Sequence, residues 1–330
     1  EIYTLSLHDA LPIYELYQSF IEHTGSRLSK NSFPTNTCFS TYRFSSESGT
    51  GYTSIYELNA FASICITEHL YHRDFEYAII SDESISIHQY DSIDSDRSYL
   101  RGDVYSGLQY IGHTSDNELC RYVIKKNVPA KVIAVQLAPE YYETYLKKEV
   151  GIRNIDLKTE LQVFPHGFSI PEISSIFNQI RSFKGNESSA KLFFRSKIDE
   201  LTANLIQKAD ELRRLSANVS AADRYAISEV MTTLNQSLSK RLPLKILAAD
   251  ACMSASKFKY VFKAVAGQTL SEYVTQKRME YACELLTNSS LYIAEIARLV
   301  GYKNPGSFSA QFKKSMGLLP LAYRLNKISA

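Results

Sequence analysis

Two stretches of the chain, KFKYVFKAVAGQTLSEYV starting at Lys257 and SFSAQFKKSMGLLPLAYR starting at Ser307, carry the same residues in register fifty positions apart. Phe258 matches Phe308, Phe262 matches Phe312, Lys263 matches Lys313, Gly267 matches Gly317 and Tyr273 matches Tyr323. A single recurrence of this kind means two copies of one supersecondary unit, which excludes a solenoid. Whatever the rest of the chain does, its C-terminal third must fold as a pair.

Each copy has the pattern of two short helices joined by a tight turn. In the first, Pro243 opens PLKILAADA, the chain breaks at Cys252 and Met253, and Ser254 caps ASKFKYVFKAVAG. Phe258, Val261, Phe262 and Val265 share one face of that second helix, and Ser256, Lys259, Tyr260 and Lys263 share the opposite one. The second copy runs through YIAEIARLV, a turn at Gly301 and a helix from about Asn304 to Met316, with Phe308 and Phe312 inward and Gly306, Ser309, Ala310 and Lys313 outward. The helix TLSEYVTQKRMEYACELLTNS connects them, and Asp223 is placed to cap the preceding helix, RYAISEVMTTLNQSLSK. This is the helix-turn-helix arrangement, written twice.

Charge divides along the same line. Residues 1–219 hold 22 Lys/Arg against 28 Asp/Glu, a balance of −6, whereas 220–330 hold 15 against 7, a balance of +8. A basic third on an acidic remainder suits a polyanion-binding module joined to something else, although a solvated charged surface would give the same count.

Upstream the period changes from helical to two. TCFSTYRF, FASICIT, EYAII, SISIHQY, CRYVIK and KVIAVQL read as strands of an antiparallel sheet or barrel, followed by a helix that Pro139 starts and Gly151 ends. From Pro171, Ile173, Ile176, Phe177 and Ile180 fall on one helical face. A longer helix follows, with Phe194, Ile198, Leu201, Leu205, Leu212 and Leu215 at alternating spacings of four and three, and Lys208 standing where a heptad wants an apolar residue. That stripe has two uses open to it, a homodimer seam or a cover for the β-rich part. SANVSAAD, Ser216 to Asp223, reads as the linker.

From about Asp223 to Arg324 the chain resembles the AraC/XylS family of bacterial transcription regulators. The stretch IAEIARLVGYKNPGSFSAQFKKSMGLLPLAYR is similar to that family's second-unit signature, and QKRMEYACELLTNSS to its linker helix. The resemblance implies an α+β chain. It places an effector-sensing, β-rich, cupin-like domain at 14–165, a helical connector at 166–222, and an all-α domain of two helix-turn-helix units at 223–330. It also implies a cytoplasmic, effector-responsive activator whose partners are double-stranded DNA, a small-molecule effector and RNA polymerase, with no membrane. Residues at the family's base-contacting positions are Ser256, Lys259 and Tyr260 in the first unit, and Ser307, Ser309 and Ala310 in the second. Lys257, Lys263, Lys303, Lys313 and Lys314 are the expected phosphate contacts, which position without reading sequence. The connecting helix would hold the two units about 34 Å apart, one turn of the duplex. KLFFRSKIDELTANLIQ, together with MSASKFKYVFK, resembles the siderophore-responsive branch.

Two positions depart from the family pattern. Ala310 stands where Arg is frequent, so the second unit lacks a long contact. Cys252 stands where a turn glycine is common, and a left-handed backbone there would cost about 1 kcal/mol. Cys252 is expected to be buried and structural.

Other classes find little support. Five cysteines, Cys38, Cys65, Cys120, Cys252 and Cys283, form an odd set without CxxC, which argues against a disulfide framework or a zinc knuckle. No apolar run approaches the roughly 18 residues of a membrane span. His69 and His72 in EHLYH are expected to be core or surface histidines, since a metal site needs three or more convergent ligands, and no cofactor is expected. There is no GxSxG, HExxH, P-loop or Rossmann fingerprint, so no enzyme is expected. The alternatives are a DNA-repair alkyltransferase that shares this DNA-binding domain, or a ligand-binding protein with a vestigial helical domain. Residues 1–13 include YTLSLHDALPI, which resembles the translation of a sequencing-adapter oligonucleotide and is set aside, leaving the native start open.

Overall fold

The computed structural model describes residues 21–22, 24–29, 38–58, 61–92, 95–97, 102–104, 108–153, 155–316 and 318–328. The adapter-like segment 1–13 and Gly317 of the repeat lie outside the described residues. Contacts divide the chain into two units. One comprises Glu1–Leu161 with Ser169–Ile206, and the other Gln162–Phe168 with Gln207–Ala330.

Eleven strands of the first unit are described: β1 (Arg27–Leu28), β2 (Ser40–Ser46), β3 (Gly49–Leu58), β4 (Ala62–Tyr71), β5 (Phe75–Ser81), β6 (Ser84–Ser92), β7 (Ser95–Arg97), β8 (Gly102–Asp103), β9 (Gln109–Thr114), β10 (Glu118–Ile124) and β11 (Ala130–Leu137). All pairings are antiparallel, in a sheet ordered β1-β2-β3-β4-β11-β6-β9 and a second ordered β5-β10-β7-β8. Phe44, Tyr71, Tyr90 and Tyr110 from the larger sheet join Tyr77, Cys120 and Tyr122 from the smaller in one buried cluster. Tyr71 stacks on Phe75 at 4.4 Å and Tyr77 on Tyr122 at 4.5 Å, offset-stacked geometry that adds to area burial. Central β11 is buried along almost its whole length, which is why KVIAVQL runs apolar without alternating. Strands β3 and β9 were not anticipated, because GTGYTSIYEL and QYIGHT mix small and polar residues with few branched ones.

His69 is a core residue, 2.9 Å from Thr53 Oγ1 through Nε2 and 3.2 Å from the Tyr71 hydroxyl through Nδ1, while His72 is exposed. Cys120 is buried, and that burial pushes its thiol up to about 11.

Pro139 starts a helix as expected, but Glu140–Glu149 is a π-helix, not an α-helix. After it come α1 (Leu157–Leu161), α2 (Pro171–Ser182) and α3 (Glu187–Ala217). Ile173, Ile176, Phe177 and Ile180 of α2 are buried as their spacing predicts. A buried amide network holds α2 to the sheet: Gln109 Nε2 donates to Gln89 Oε1 at 3.0 Å and to Ser174 Oγ at 2.7 Å, while Gln109 Oε1 accepts from the Ile170 amide at 2.7 Å.

Phe194, Ile198, Leu201, Leu205 and Leu212 of α3 are 0–4% exposed within the single chain. The stripe therefore covers the chain's own core, with Phe194 4.4 Å from Tyr56 and 5.4 Å from Phe39, and these residues are not available as a dimer seam. Ala209, fully buried, fills the row where the heptad frame had pointed to Lys208. The stripe follows the 3.6-residue period of a straight helix and not the 3.5 of a supercoil.

The second unit is helical: the end of α3, then α4 (Ala221–Gln236), α5 (Leu244–Asp250), α6 (Ala255–Ala266), α7 (Leu270–Asn288), α8 (Ile293–Leu299), α9 (Pro305–Met316) and α10 (Pro320–Ile328). Because α3 extends to Ala217 and α4 begins at Ala221, SANVSAAD contributes only 218–220 as connection. Ser220, not Asp223, caps α4, accepting from the Asp223 amide at 3.1 Å.

Candidate nucleic-acid interface

The two helix pairs α5–α6 and α8–α9 repeat down to their ring geometry. Phe258 and Phe262 are 5.7 Å apart and Phe262 meets Tyr273 edge-on at 5.6 Å; Phe308 and Phe312 are 5.6 Å apart and Phe312 meets Tyr323 edge-on at 5.4 Å. All four phenylalanines are fully buried, so the fifty-residue repeat is a packing code. It faces each second helix the same way.

The turns differ. Cys252 (φ 54°) and Gly301 (φ 85°) are the left-handed residues, and the amides that follow close onto Ala248 and Ala297. These positions are 49 apart, whereas the caps of α6 and α9 are 50 apart, so the second turn is one residue longer. Ser254 caps α6 by accepting from Lys257 N at 3.2 Å. Asn304 caps α9, its Oδ1 accepting from Gly306 N at 2.7 Å and Ser307 N at 3.3 Å. Cys252 is exposed, contrary to the expectation that it is buried, because a residue in the left-handed position of a surface turn points away from both helices.

Ser256, Lys257 and Lys259 are exposed on the outer face of α6, as are Ser307, Ala310, Lys313 and Lys314 on α9 and Lys303 before it; Ser309 is half-buried. The lysines are not equivalent. Lys257 pairs with Asp223 at 2.8 Å and Lys263 with Glu211 of α3 at 3.2 Å. Among the described residues Lys259, Lys303, Lys313 and Lys314 form no ion pair within 4 Å. Hydrogen bonds from Lys208 and from Lys263 hold the Glu211 carboxyl below the usual carboxylate range, and Lys257 with Ser220 does the same for Asp223. The Tyr260 hydroxyl, on a side chain 38% exposed, donates to the Leu215 carbonyl at 3.4 Å, and Ser216 Oγ reaches the Ala264 carbonyl at 3.3 Å. The last turns of α3 thus lie beside the far half of α6. Sequence reasoning missed this neighbour, since 45 to 52 residues separate the partners.

Arg278, mid-way along α7, was also missed. Its Nε donates to the Leu238 carbonyl at 2.9 Å and Nη2 to the Lys240 carbonyl at 3.3 Å. Its guanidinium lies 5.8 Å from the Tyr302 ring centre. Burial lowers its pKa, with Arg241 nearby adding to the effect, but a guanidinium stays charged at neutral pH.

A model of a helix-turn-helix domain, HTH_18, matches residues 247–326, which contain both turns. The MmsAB operon regulatory protein of Pseudomonas aeruginosa is 38% identical over 91 residues, 28% of this chain and 30% of that protein. The HTH-type transcriptional regulator AlkR of Acinetobacter baylyi is 34% identical over 98 residues, 30% of this chain and 32% of that one. The C-terminal domain of the two-component response regulator yesN from Fusobacterium nucleatum is 30% identical, with 29% of this chain covering 95% of that structure at a TM-score of 0.29. The chain spans about a third of the length of these two curated relatives. Residues 247–326, with two helix-turn-helix units joined by α7, form a helix-turn-helix domain of the AraC type.

Proposed function

We propose that the chain is a sequence-specific, DNA-binding transcription regulator. The observation that carries this reading is the repeated phenylalanine packing, which turns the outer faces of α6 and α9 to solvent within one basic unit. Ser256, Lys259 and Tyr260 supply hydrogen-bonding groups for base edges in the first unit, and Ser307 and Ser309 do so in the second, where Ala310 offers only an apolar contact to a thymine methyl. Lys257, Lys263, Lys303, Lys313 and Lys314 supply phosphate contacts. The β-rich first unit serves as the effector sensor, and the regulator works in the cytoplasm as an activator, which engages RNA polymerase. No described helix is long and apolar enough to cross a membrane.

The test is fluorescence anisotropy of the full chain with duplex DNA over a salt series. Each phosphate neutralised should lower log K by about 0.9 per decade of salt. A flat salt dependence defeats the reading. Methyl transfer from alkylated DNA to Cys38, Cys65 or Cys120 would favour the alkyltransferase instead.

A further inference from the structure

The connecting helix α7 fixes how far apart the two helix-turn-helix units stand, because its 19 residues span about 28 Å. Length alone does not fix how each unit is rotated about that rod. Each unit has its own tie to α7: Tyr273 Oη donates to Asn235 Oδ1 at 3.0 Å in the first, and Arg324 Nε of α10 donates to the Leu286 carbonyl at 3.3 Å in the second.

Arg278 touches both units at once. The Leu238 and Lys240 carbonyls that accept from it belong to the loop between α4 and α5, in the first unit. On its other side lie Gly301 and Tyr302, in the turn between α8 and α9 of the second. A Cβ built on Gly301 would stand 2.6 Å from Arg278 Nη2 and 2.7 Å from the Leu238 carbonyl oxygen, so the two loops and the guanidinium meet at one point. Among the described residues no carboxylate lies within ion-pairing distance of Arg278; its described hydrogen bonds are to the loop carbonyls. A planar guanidinium holds two acceptors at a set angle while offering its face to a ring, and an ammonium has no such plane.

We propose that Arg278 is a positioning residue that fixes the rotation of one helix-turn-helix unit relative to the other, and thereby sets the half-site spacing the pair accepts on DNA. The proposal rests on the reading of the chain as a DNA-binding regulator. On B-form DNA, one base pair of extra spacing moves the second half-site about 3.4 Å along the axis and about 35° around it. A rigid joint cannot follow that rotation. A joint held only by the rod can.

The probe is a duplex selected by the wild-type full-length chain from a randomised pool, resynthesised with its two half-sites one base pair closer, unchanged, and one or two base pairs further apart. A duplex with a single half-site is the control. Wild type should lose about tenfold or more in affinity per base pair of misspacing, since misaligned units cannot engage together. Arg278→Lys and Arg278→Gln should bring that loss to within about threefold while leaving single-half-site affinity intact, because each unit keeps its own fold. Uniform weakening at every spacing, or an unchanged spacing preference, overturns the proposal. Loss of single-half-site binding in both variants overturns it too, by showing an ordinary folding contact. If wild type selects no duplex, the DNA-binding reading itself has failed, an outcome distinct from the other three.

Discussion

Cys252→Gly isolates the one left-handed residue in the described chain that is neither glycine nor asparagine. A left-handed backbone costs an L-residue about 1–2 kcal/mol. Glycine removes that strain but loses about 0.5–1 kcal/mol more chain entropy on folding. The net expectation is stabilisation by about 0.5–1 kcal/mol. Little offsets it, because the thiol is exposed and its removal opens no cavity. With a urea dependence near 2 kcal/mol per molar, the midpoint should rise by about 0.3–0.5 M. The assay is urea unfolding followed by far-UV circular dichroism, with Cys252→Ala as the control. Alanine keeps the strain and loses only the thiol, so it should stay within about 0.5 kcal/mol of wild type. Equal shifts for alanine and glycine would refute the strain argument, and so would a lower midpoint for glycine. The comparison also tests the alignment of Cys252 with Gly301, where the second unit already has glycine.

Lys259→Ala combined with Tyr260→Ala should relax base preference at particular positions by about 1–3 kcal/mol, measured on single-base operator variants at fixed salt, whereas Ser309→Ala should change it much less. Equal losses in the two units would contradict that division. Gln109→Ala should destabilise the β-rich unit by about 2–3 kcal/mol in urea titrations, because the Ile170 amide and the Gln89 side chain lose a buried partner. Glu83 is held below the usual carboxylate range by Lys158 and by the Tyr142 hydroxyl at 2.9 Å. A depressed carboxylate contributes stability that is complete above its ordinary value near 4.3 and disappears as pH falls through the lower folded value. Wild type should therefore lose urea resistance as pH drops below about 4.3, and Glu83→Gln should flatten that slope.

What could be read from the sequence is what depends on near neighbours. Ser254 as a cap, Pro171 at a helix start and the two buried faces of Phe258/Phe262 and Phe308/Phe312 all follow from residues within one or two turns of each other. The strands with branched residues were visible for the same reason. The π-helix was not, because Tyr141, Tyr142 and Leu146 make an apolar pattern that either helix type can carry. Lys208 against Ala209 was a choice between periods of 3.5 and 3.6, settled only where the stripe meets a core. Ser220 took the cap from Asp223 because α4 starts three residues earlier than its apolar pattern suggests, leaving Asp223 to pair with Lys257. Arg278, like Glu211, draws its role from chain 38 to 52 residues away.

The extra residue in the second turn is absorbed before the Asn304 cap, so α9 opens with Pro305, Gly306 and Ser307, a surface made almost entirely of main chain. On the proposed reading, a surface of this kind can come close to the sugar-phosphate backbone, while Ser307 offers a base edge only a short hydroxyl. Beside those short contacts, its half-site would be sorted by stiffness and groove width, with flexible pyrimidine–purine steps favoured or rejected according to the bend that lets Gly306 come into contact. Substituting base pairs that the protein never touches should then alter affinity at that half of the operator as much as substituting those beneath the helix.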